Sequence, residues 1–169
     1  MKDKTRVLFV CHGNICRSPL AEAVFRHMVQ AARVADRFEI DSAGISGYHE
    51  GESPDPRTHT EARTRGIILE HSARRMRERD AERFDIVVVM DRENYEAVPR
   101  GRAEVSMLRS FDPEAGTGAE VPDPYYGEPG GFADVHDMVE RACRGLLAHL
   151  LRKQAATGAP TSGSARAGG

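Results

Sequence analysis

Arg6-Val7-Leu8-Phe9-Val10-Cys11-His12-Gly13-Asn14-Ile15-Cys16-Arg17-Ser18-Pro19 reads as a buried strand, a tight loop and a helix start in immediate succession. The run from Arg6 to Val10 is short, β-branched and aromatic, without polar alternation, as a strand covered on both faces must be. Gly13 and Asn14 allow a turn whose backbone enters conformations closed to most residues. Ser18 and Pro19 suit the first turn of a helix, and Leu20, Val24 and Met28 recur at i, i+4 and i+8 to give it one apolar face. Glu22 is placed to complement the positive end of that helix.

Strand and helix keep alternating downstream. Phe38-Glu39-Ile40-Asp41-Ser42 reads as a second strand, and residues 44–56, rich in Gly, Ser and Pro, as a loop. Asp55-Pro56 reads as the cap and first position of a helix that stops before Gly66. Phe84 to Met90 is the strongest strand signal, and Val105 to Leu108 a weaker fourth. Residues 110–131 form a long Asp/Gly/Pro-rich loop, after which Phe132, Val135, Val139, Ala142, Leu146 and Leu150 mark a final amphipathic helix. The expected fold is α/β, a three-layer sandwich with a central four-stranded parallel sheet and helices on both faces. It spans residues 1–153, and residues 154–169 form a disordered Gly/Ala/Ser-rich tail. In such sheets ligands bind beyond the carboxyl ends of the strands, so the loop after Cys11 is the place to look.

Composition narrows the class further. A chain of 169 residues, 40% hydrophobic and 30% charged, suits one globular domain. A net charge of −2 gives no reason to expect a nucleic-acid partner. Three cysteines are an odd number in a chain of this size, so a reduced cytoplasmic protein is expected rather than a disulfide framework. The apolar run Val7 to Val10 falls short of the ~7–15 residues of a signal-peptide core. No membrane association is expected, and export by a route that reads no such signal is left open.

The spacing Cys11-x5-Arg17-Ser18 carries chemistry because it joins a strand to a helix. The intervening loop can wrap a tetrahedral oxyanion with its backbone N–H groups turned inward, and the helix adds its positive end. Arg17 can hold two phosphate oxygens in a planar fork that lysine lacks. Cys11 then lies at the bottom of an electropositive bowl that favours thiolate over thiol. Attack of that thiolate on phosphorus gives a phosphocysteine, and Ser18 is within reach of the departing sulfur. A bare Cys-x5-Arg spacing also fits a buried cysteine and a surface arginine; the strand, the Gly-Asn pair and the Ser-Pro start favour the chemical reading. Val121-Pro122-Asp123-Pro124-Tyr125-Tyr126-Gly127 supplies a carboxylate between two prolines, a proton source beside two aromatic rings. Alone, that segment is better read as an ordinary Asp-Pro turn with surface tyrosines.

Taken together, Val10 to Pro19 and Asp123-Pro124-Tyr125-Tyr126 ahead of a final helix resemble the low-molecular-weight protein tyrosine phosphatases. The similarity runs over residues 5–153 and includes Asp41-Ser42-Ala43-Gly44, Ser53-Pro54-Asp55-Pro56-Arg57, His71-Ser72-Ala73-Arg74 and Met90-Asp91. The resemblance implies hydrolysis of phosphotyrosine and small aryl phosphates through a phosphocysteine. Cys11 is then the nucleophile, Arg17 the phosphate clamp and Asp123 the general acid and later base. It further implies a phosphate loop of His12, Gly13, Asn14, Ile15, Cys16 and Arg17, supported by a polar network of Asn14, Ser18, Ser42 and His71. Tyr48 and Tyr125 are expected to face each other across the substrate slot, with Tyr126 beside them. Tyrosine-phosphorylated proteins are the expected partners, and the enzyme is expected to be a monomer. No cofactor and no metal are expected; Cys11, His12 and Cys16 are too few and too crowded for a structural zinc site.

His12 departs from the small or aliphatic residue usual in the family, and bears on substrate preference. Arsenate reductases share the loop but recycle through further cysteines, and residues 70–110 contain none. Protein-arginine phosphatases typically carry Thr where this chain has Ile15. A phosphate-binding adaptor without activity would more naturally have lost Cys11 or Asp123. Arg74, Arg75, Arg77 and Arg79 read as a solvated face and Cys143 as core. Cys11 and Cys16 share one tight loop, which makes an internal disulfide the expected product of oxidation.

Overall fold

Both faces of β1 (Thr5–Cys11) are covered, and the alternation of its side chains divides the interior in two. Val7, Phe9 and Cys11 enter one apolar cluster, Leu8 and Val10 the other. The structure, a computed structural model, describes residues 4–127 and 131–158. In it β1 pairs in parallel with β2 (Phe38–Gly44) on one side and β3 (Ile86–Val89) on the other, and β4 (Glu104–Met107) completes the sheet in the order β2-β1-β3-β4. The register sets Cys11 beside Gly44 and Val10 beside Val89, so these strands end together at one edge of the sheet.

One face is covered by α1 (Arg17–Ala31) and α5 (Gly131–Gly158), with α2 (Pro56–Thr64) against α5. Phe25 is the hinge of that core, edge-on to Phe9 at 5.7 Å and to Phe38 at 5.5 Å between ring centroids. The other face is thinner. Met76, Ala81, Phe84 and Val98 cover it, from α3 (Asp80–Arg83), α4 (Arg92–Ala97) and the chain around them. Neither short helix is legible in the sequence, because a turn or two shows no periodicity. The three-layer α/β reading holds.

The end of α5 corrects the expected boundary at Lys153. Residues 154–158 are helical, and the Gln154 amide donates to Thr5 Oγ1 (2.9 Å) and to the Arg37 carbonyl (3.2 Å), closing the helix onto the start of β1 and the turn before β2. The remainder of the expected tail, 159–169, and the 128–130 end of the long loop lie outside the described residues. Among the described residues no helix is long and apolar enough to cross a membrane.

Candidate active site

The loop after β1 closes around the sulfur of Cys11. Ser18 Oγ lies 3.0 Å from Cys11 Sγ, and the Asn14 backbone N–H donates to the sulfur at 3.3 Å. Asn14 takes the left-handed conformation (φ 59°) that its short polar side chain tolerates, and it is fully buried. Its Nδ2 donates to Ser18 Oγ (2.8 Å) and Ser42 Oγ (3.1 Å), while its Oδ1 accepts from the Arg74 backbone N–H (3.0 Å). His71 Nε2 stands 2.7 Å from the same oxygen, so the ring carries its proton there. The Ser42 hydroxyl donates to Glu22 Oε1 (2.7 Å), and His71 Nδ1 lies 3.5 Å from that oxygen. Gly44 is required by contact: a Cβ there would sit 2.9 Å from the His12 carbonyl oxygen. The expected network of Asn14, Ser18, Ser42 and His71 is thus one connected lattice.

Two residues in it were read differently in the sequence. Glu22 lies beyond the first turn of α1, which contains no acidic residue, and it serves Ser42 and Arg26 instead of the helix end. Arg74 does not belong to a solvated face. Its guanidinium bonds Asp41 (3.1 Å) and Asp80 (3.1 Å), and its amide supports Asn14, whereas Arg75, Arg77 and Arg79 are exposed.

Arg17 opens α1 and is 2% exposed, with its guanidinium turned across the mouth of the loop. Nη1 donates to Asp91 Oδ2 (2.7 Å) and the Val121 carbonyl (3.0 Å), and Nη2 reaches Asp123 Oδ2 at 3.5 Å. Burial alone would make the guanidinium easier to neutralise. The charge of Cys11, the bond to Asp91 and the charge of Asp123 outweigh it and hold Arg17 more firmly protonated than usual. Asp123 is partly exposed, and its Oδ1 accepts the Tyr125 backbone N–H at 3.0 Å. Cys11, Arg17 and Asp123 line one cavity of about 410 Å³, together with His12, Gly13, Ile15 and Cys16 of the loop and Tyr48, Tyr125 and Tyr126 of the rim.

A buried cysteine, a buried arginine and a half-exposed aspartate around one cavity, at the carboxyl edge of a 2-1-3-4 parallel sheet, invite comparison with known proteins. The family described as low molecular weight phosphotyrosine protein phosphatase matches residues 6–156. The chain belongs to that family. A low molecular weight protein-tyrosine-phosphatase of Streptomyces coelicolor is 48% identical over 150 residues, 85% of this chain and 92% of that protein. The low molecular weight phosphotyrosine protein phosphatase of Sus scrofa is 42% identical over 148 residues, 83% of this chain and 92% of that one. Among solved structures, the protein tyrosine phosphatase of Entamoeba histolytica, crystallised with Hepes in its active site, superposes with a TM-score of 0.83 at 36% identity. The superposition covers 89% of this chain and 99% of that chain.

Against the rest of this phosphatase domain, the sequence reading missed several cavity-side residues. His49 joins the expected pair Tyr48 and Tyr125 along the cavity, in ring contact with both. Its ring is edge-on to Tyr48 (4.8 Å, 82°) and tilted to Tyr125 (6.0 Å), with Nδ1 3.0 Å from Glu52 Oε1. Tyr48 and Tyr126 are 83% and 92% exposed, so they form the outer rim, whereas Tyr125 packs partly against Ile15, Cys16, Ala73 and Phe132. Asp91 also went unassigned. Its position just past the end of β3, at the ligand edge of a parallel sheet, was the available signal. Cys16 is buried behind the loop, and burial followed by the charge of Asp55 pushes its thiol up to about 12. Cys143 is fully buried in the α1–α5 core, as its place on the apolar stripe implied. All three cysteines are free. Among the described residues no cluster of His, Cys, Asp and Glu is arranged to hold a metal ion.

Proposed function

We propose that this protein hydrolyses phosphotyrosine in proteins through a phosphocysteine intermediate. The observation that carries the reading is that Cys11, Arg17 and Asp123 line one cavity, with Arg17 Nη2 3.5 Å from the Asp123 carboxylate and the Arg17 charge reinforced by Cys11 and Asp123. The thiolate of Cys11 attacks phosphorus while the bond from phosphorus to the phenolic oxygen breaks. Asp123 gives its proton to that oxygen, and tyrosine leaves. In the second step the Asp123 carboxylate takes a proton from water, the water oxygen attacks phosphorus, and the S–P bond breaks. Ser18, hydrogen-bonded to the sulfur at 3.0 Å, stabilises the returning thiolate. Arg17 and the loop amides stabilise the equatorial oxygens through both steps.

Depth supports an aryl substrate. Cys11 is only 2% exposed, and the cavity it lines is bordered by Tyr48, His49 and Tyr125. A recessed sulfur beside aromatic rings favours a phosphate carried on a flat phenyl spacer over one on the short stem of serine. Three free cysteines, one of them the nucleophile, support action in a reducing compartment such as the cytoplasm, on tyrosine-phosphorylated proteins.

Two variants test the reading. Cys11→Ser should abolish turnover of aryl phosphates and still bind inorganic phosphate, because the hydroxyl does not ionise near neutrality. Activity above a few per cent of wild type would remove Cys11 from its role. Asp123→Asn should slow esters with poor leaving groups by ~10²–10⁴-fold and p-nitrophenyl phosphate much less. A uniform loss across leaving groups would remove Asp123 as the acid. Phosphoarginine, assayed beside phosphotyrosine, separates the arginine-phosphatase alternative: preferential turnover of phosphoarginine overturns the substrate assignment.

A further inference from the structure

Arg57 lies in the first turn of α2, is half-exposed, and does not line the cavity, yet its side chain bonds in two directions. Nε and Nη2 grip the Asp55 carboxylate as a fork, at 3.0 and 2.8 Å. Nη2 also donates to the Tyr125 carbonyl at 3.2 Å. The guanidinium carbon sits 4.6 Å from the centroid of Phe132, at the start of α5, and 5.4 Å from that of Tyr125. Each partner leads on to the cavity. Asp55 donates its backbone N–H to the Ile15 carbonyl in the phosphate loop (2.8 Å), and the Tyr125 backbone N–H holds Asp123 Oδ1 (3.0 Å). Ile15, Asp55, Arg57, Tyr125 and Asp123 therefore form an unbroken chain from the loop that carries the nucleophile to the carboxyl group opposite it.

We propose that Arg57 is a positioning residue for Asp123, tying the 123–125 segment to the phosphate loop so that the carboxyl group meets the leaving oxygen of the ester. The proposal rests on Asp123 being the general acid. Arg57 touches neither phosphate nor leaving group; it acts through the Tyr125 peptide. Arginine suits the place because one planar group satisfies a carboxylate and a carbonyl while lying flat on two rings, which the point charge of lysine does not do. A stabilising role explains the arrangement less well. The pair is open to solvent on the Arg57 side, 49% exposed against 6% for Asp55, which limits what it contributes to folding. Asp55 also keeps its bond from the Arg57 backbone N–H (2.8 Å), the cap of α2, whatever side chain stands at 57.

The test is the dependence of kcat/KM on leaving-group pKa across a series from p-nitrophenyl phosphate to phenyl phosphate. The proteins compared are wild type, Arg57→Ala, Arg57→Met, Asp123→Asn and the double variant Arg57→Ala/Asp123→Asn. Arg57→Met keeps a long side chain over Phe132 and removes only the donors. With the acid misplaced, both Arg57 variants should lose roughly 10-fold or more on phenyl phosphate and less than about 3-fold on p-nitrophenyl phosphate, part of the full general-acid contribution. The double variant should be no steeper than Asp123→Asn. An equal loss on every ester, an unchanged slope, or extra steepness in the double variant overturns the proposal while leaving Asp123 as the acid. Loss of the folded state in both Arg57 variants also overturns it, since Arg57 is then a stability residue. If Asp123→Asn itself leaves the slope flat, the reading of Asp123 falls and the role of Arg57 falls with it.

Discussion

The loop that carries Cys11 and the loop that carries Asp123 line one cavity, and they are held in opposite ways. The first hangs on a buried lattice: Asn14, Ser18 and Ser42 are fully buried, and Glu22 from α1 and His71 and Arg74 from the segment between α2 and α3 bond to them. The second is pinned at points. Asp112 is anchored by Arg109 and Arg141, the Val121 N–H donates to the Met90 carbonyl (2.8 Å), and Tyr125 is gripped by Arg57. The difference matches the tasks proposed for them. A nucleophile attacks along one line and gains from a fixed cradle, since geometry set before reaction costs nothing during it. An acid must reach an oxygen whose substituent varies, and its loop must leave that substituent a way in.

The contrast predicts unequal tolerance. Asn14→Ala removes donors and acceptors from a buried lattice and puts a Cβ-only side chain in a left-handed conformation, at a cost of about 2–4 kcal/mol. Thermal unfolding should record a clear drop, with turnover falling in parallel. On the other loop Tyr126→Ala, at a residue 92% exposed, should stay within about 0.5 kcal/mol of wild type. Equal losses from the two would break the comparison.

Oxidation sharpens it inside the first loop, where Cys11 bonds Ser18 and Cys16 packs with Ile15, Ala73 and Phe132. With the Cys16 thiol pushed up to about 12 by burial and by Asp55, its thiolate is scarce near neutrality and grows with pH. Peroxide should therefore give an internal disulfide, seen as the loss of a hydrogen pair in intact mass, at a rate that rises between about pH 6 and pH 9. The product should be absent in Cys16→Ser, which should also recover poorly on adding thiol. If both proteins gain oxygen and recover alike, Cys16 only packs behind the loop.

Beneath α5 the polar groups are less well served than beneath the phosphate loop. His136 is fully buried with neither ring nitrogen hydrogen-bonded, and its nearest carboxylate, Glu140, is 3.8 Å away. Burial, and next the charge of Arg65, push its pKa below the ordinary value, against smaller opposing effects of Glu140, Glu61 and Asp137. The folded state thus prefers the neutral ring. As pH falls below about 6.5 the unfolded chain takes up a proton that the folded chain resists, and stability is lost on the way down to the folded pKa. Melting temperature should fall between pH 7.5 and 5.5, and His136→Leu should flatten that part of the fall. An unchanged pH dependence would acquit His136.

The smallest effect concerns the last turn of α5. Removing residues 159–169 should leave melting temperature and turnover unchanged. Ending the chain at Lys153 also removes Gln154 with its bonds to Thr5 and Arg37, for a loss of roughly 1 kcal/mol. Equal melting temperatures for the two truncations would restore the boundary at Lys153.

Where the structure departs from the sequence reading, the reason is reach. The strand, loop and helix around Cys11 were legible because a buried run, a Gly-Asn turn and a Ser-Pro start are all local signals. Asp55 as a cap with Pro56 behind it was legible for the same reason, and its side chain accepts the Arg57 N–H. His49 was not, since nothing beside Tyr48 says which of two adjacent rings turns into the slot. Arg74 was lost in a run of arginines whose members differ only in what lies above them.

By itself the sequence determined the order of the four strands and the three longer helices, the burial of β1 on both faces, and the short loop that brings Cys11, Asn14, Arg17 and Ser18 together. Those follow from side-chain chemistry and from spacings within a few residues. The tertiary structure alone decided that Arg17 meets Asp91 and Asp123, that Asn14 is held by His71 and Arg74, and that Arg57 holds Tyr125. These partners are separated by dozens of residues, carry no period, and meet only because parallel strands with helical crossovers bring the carboxyl ends of distant segments to one edge of the sheet.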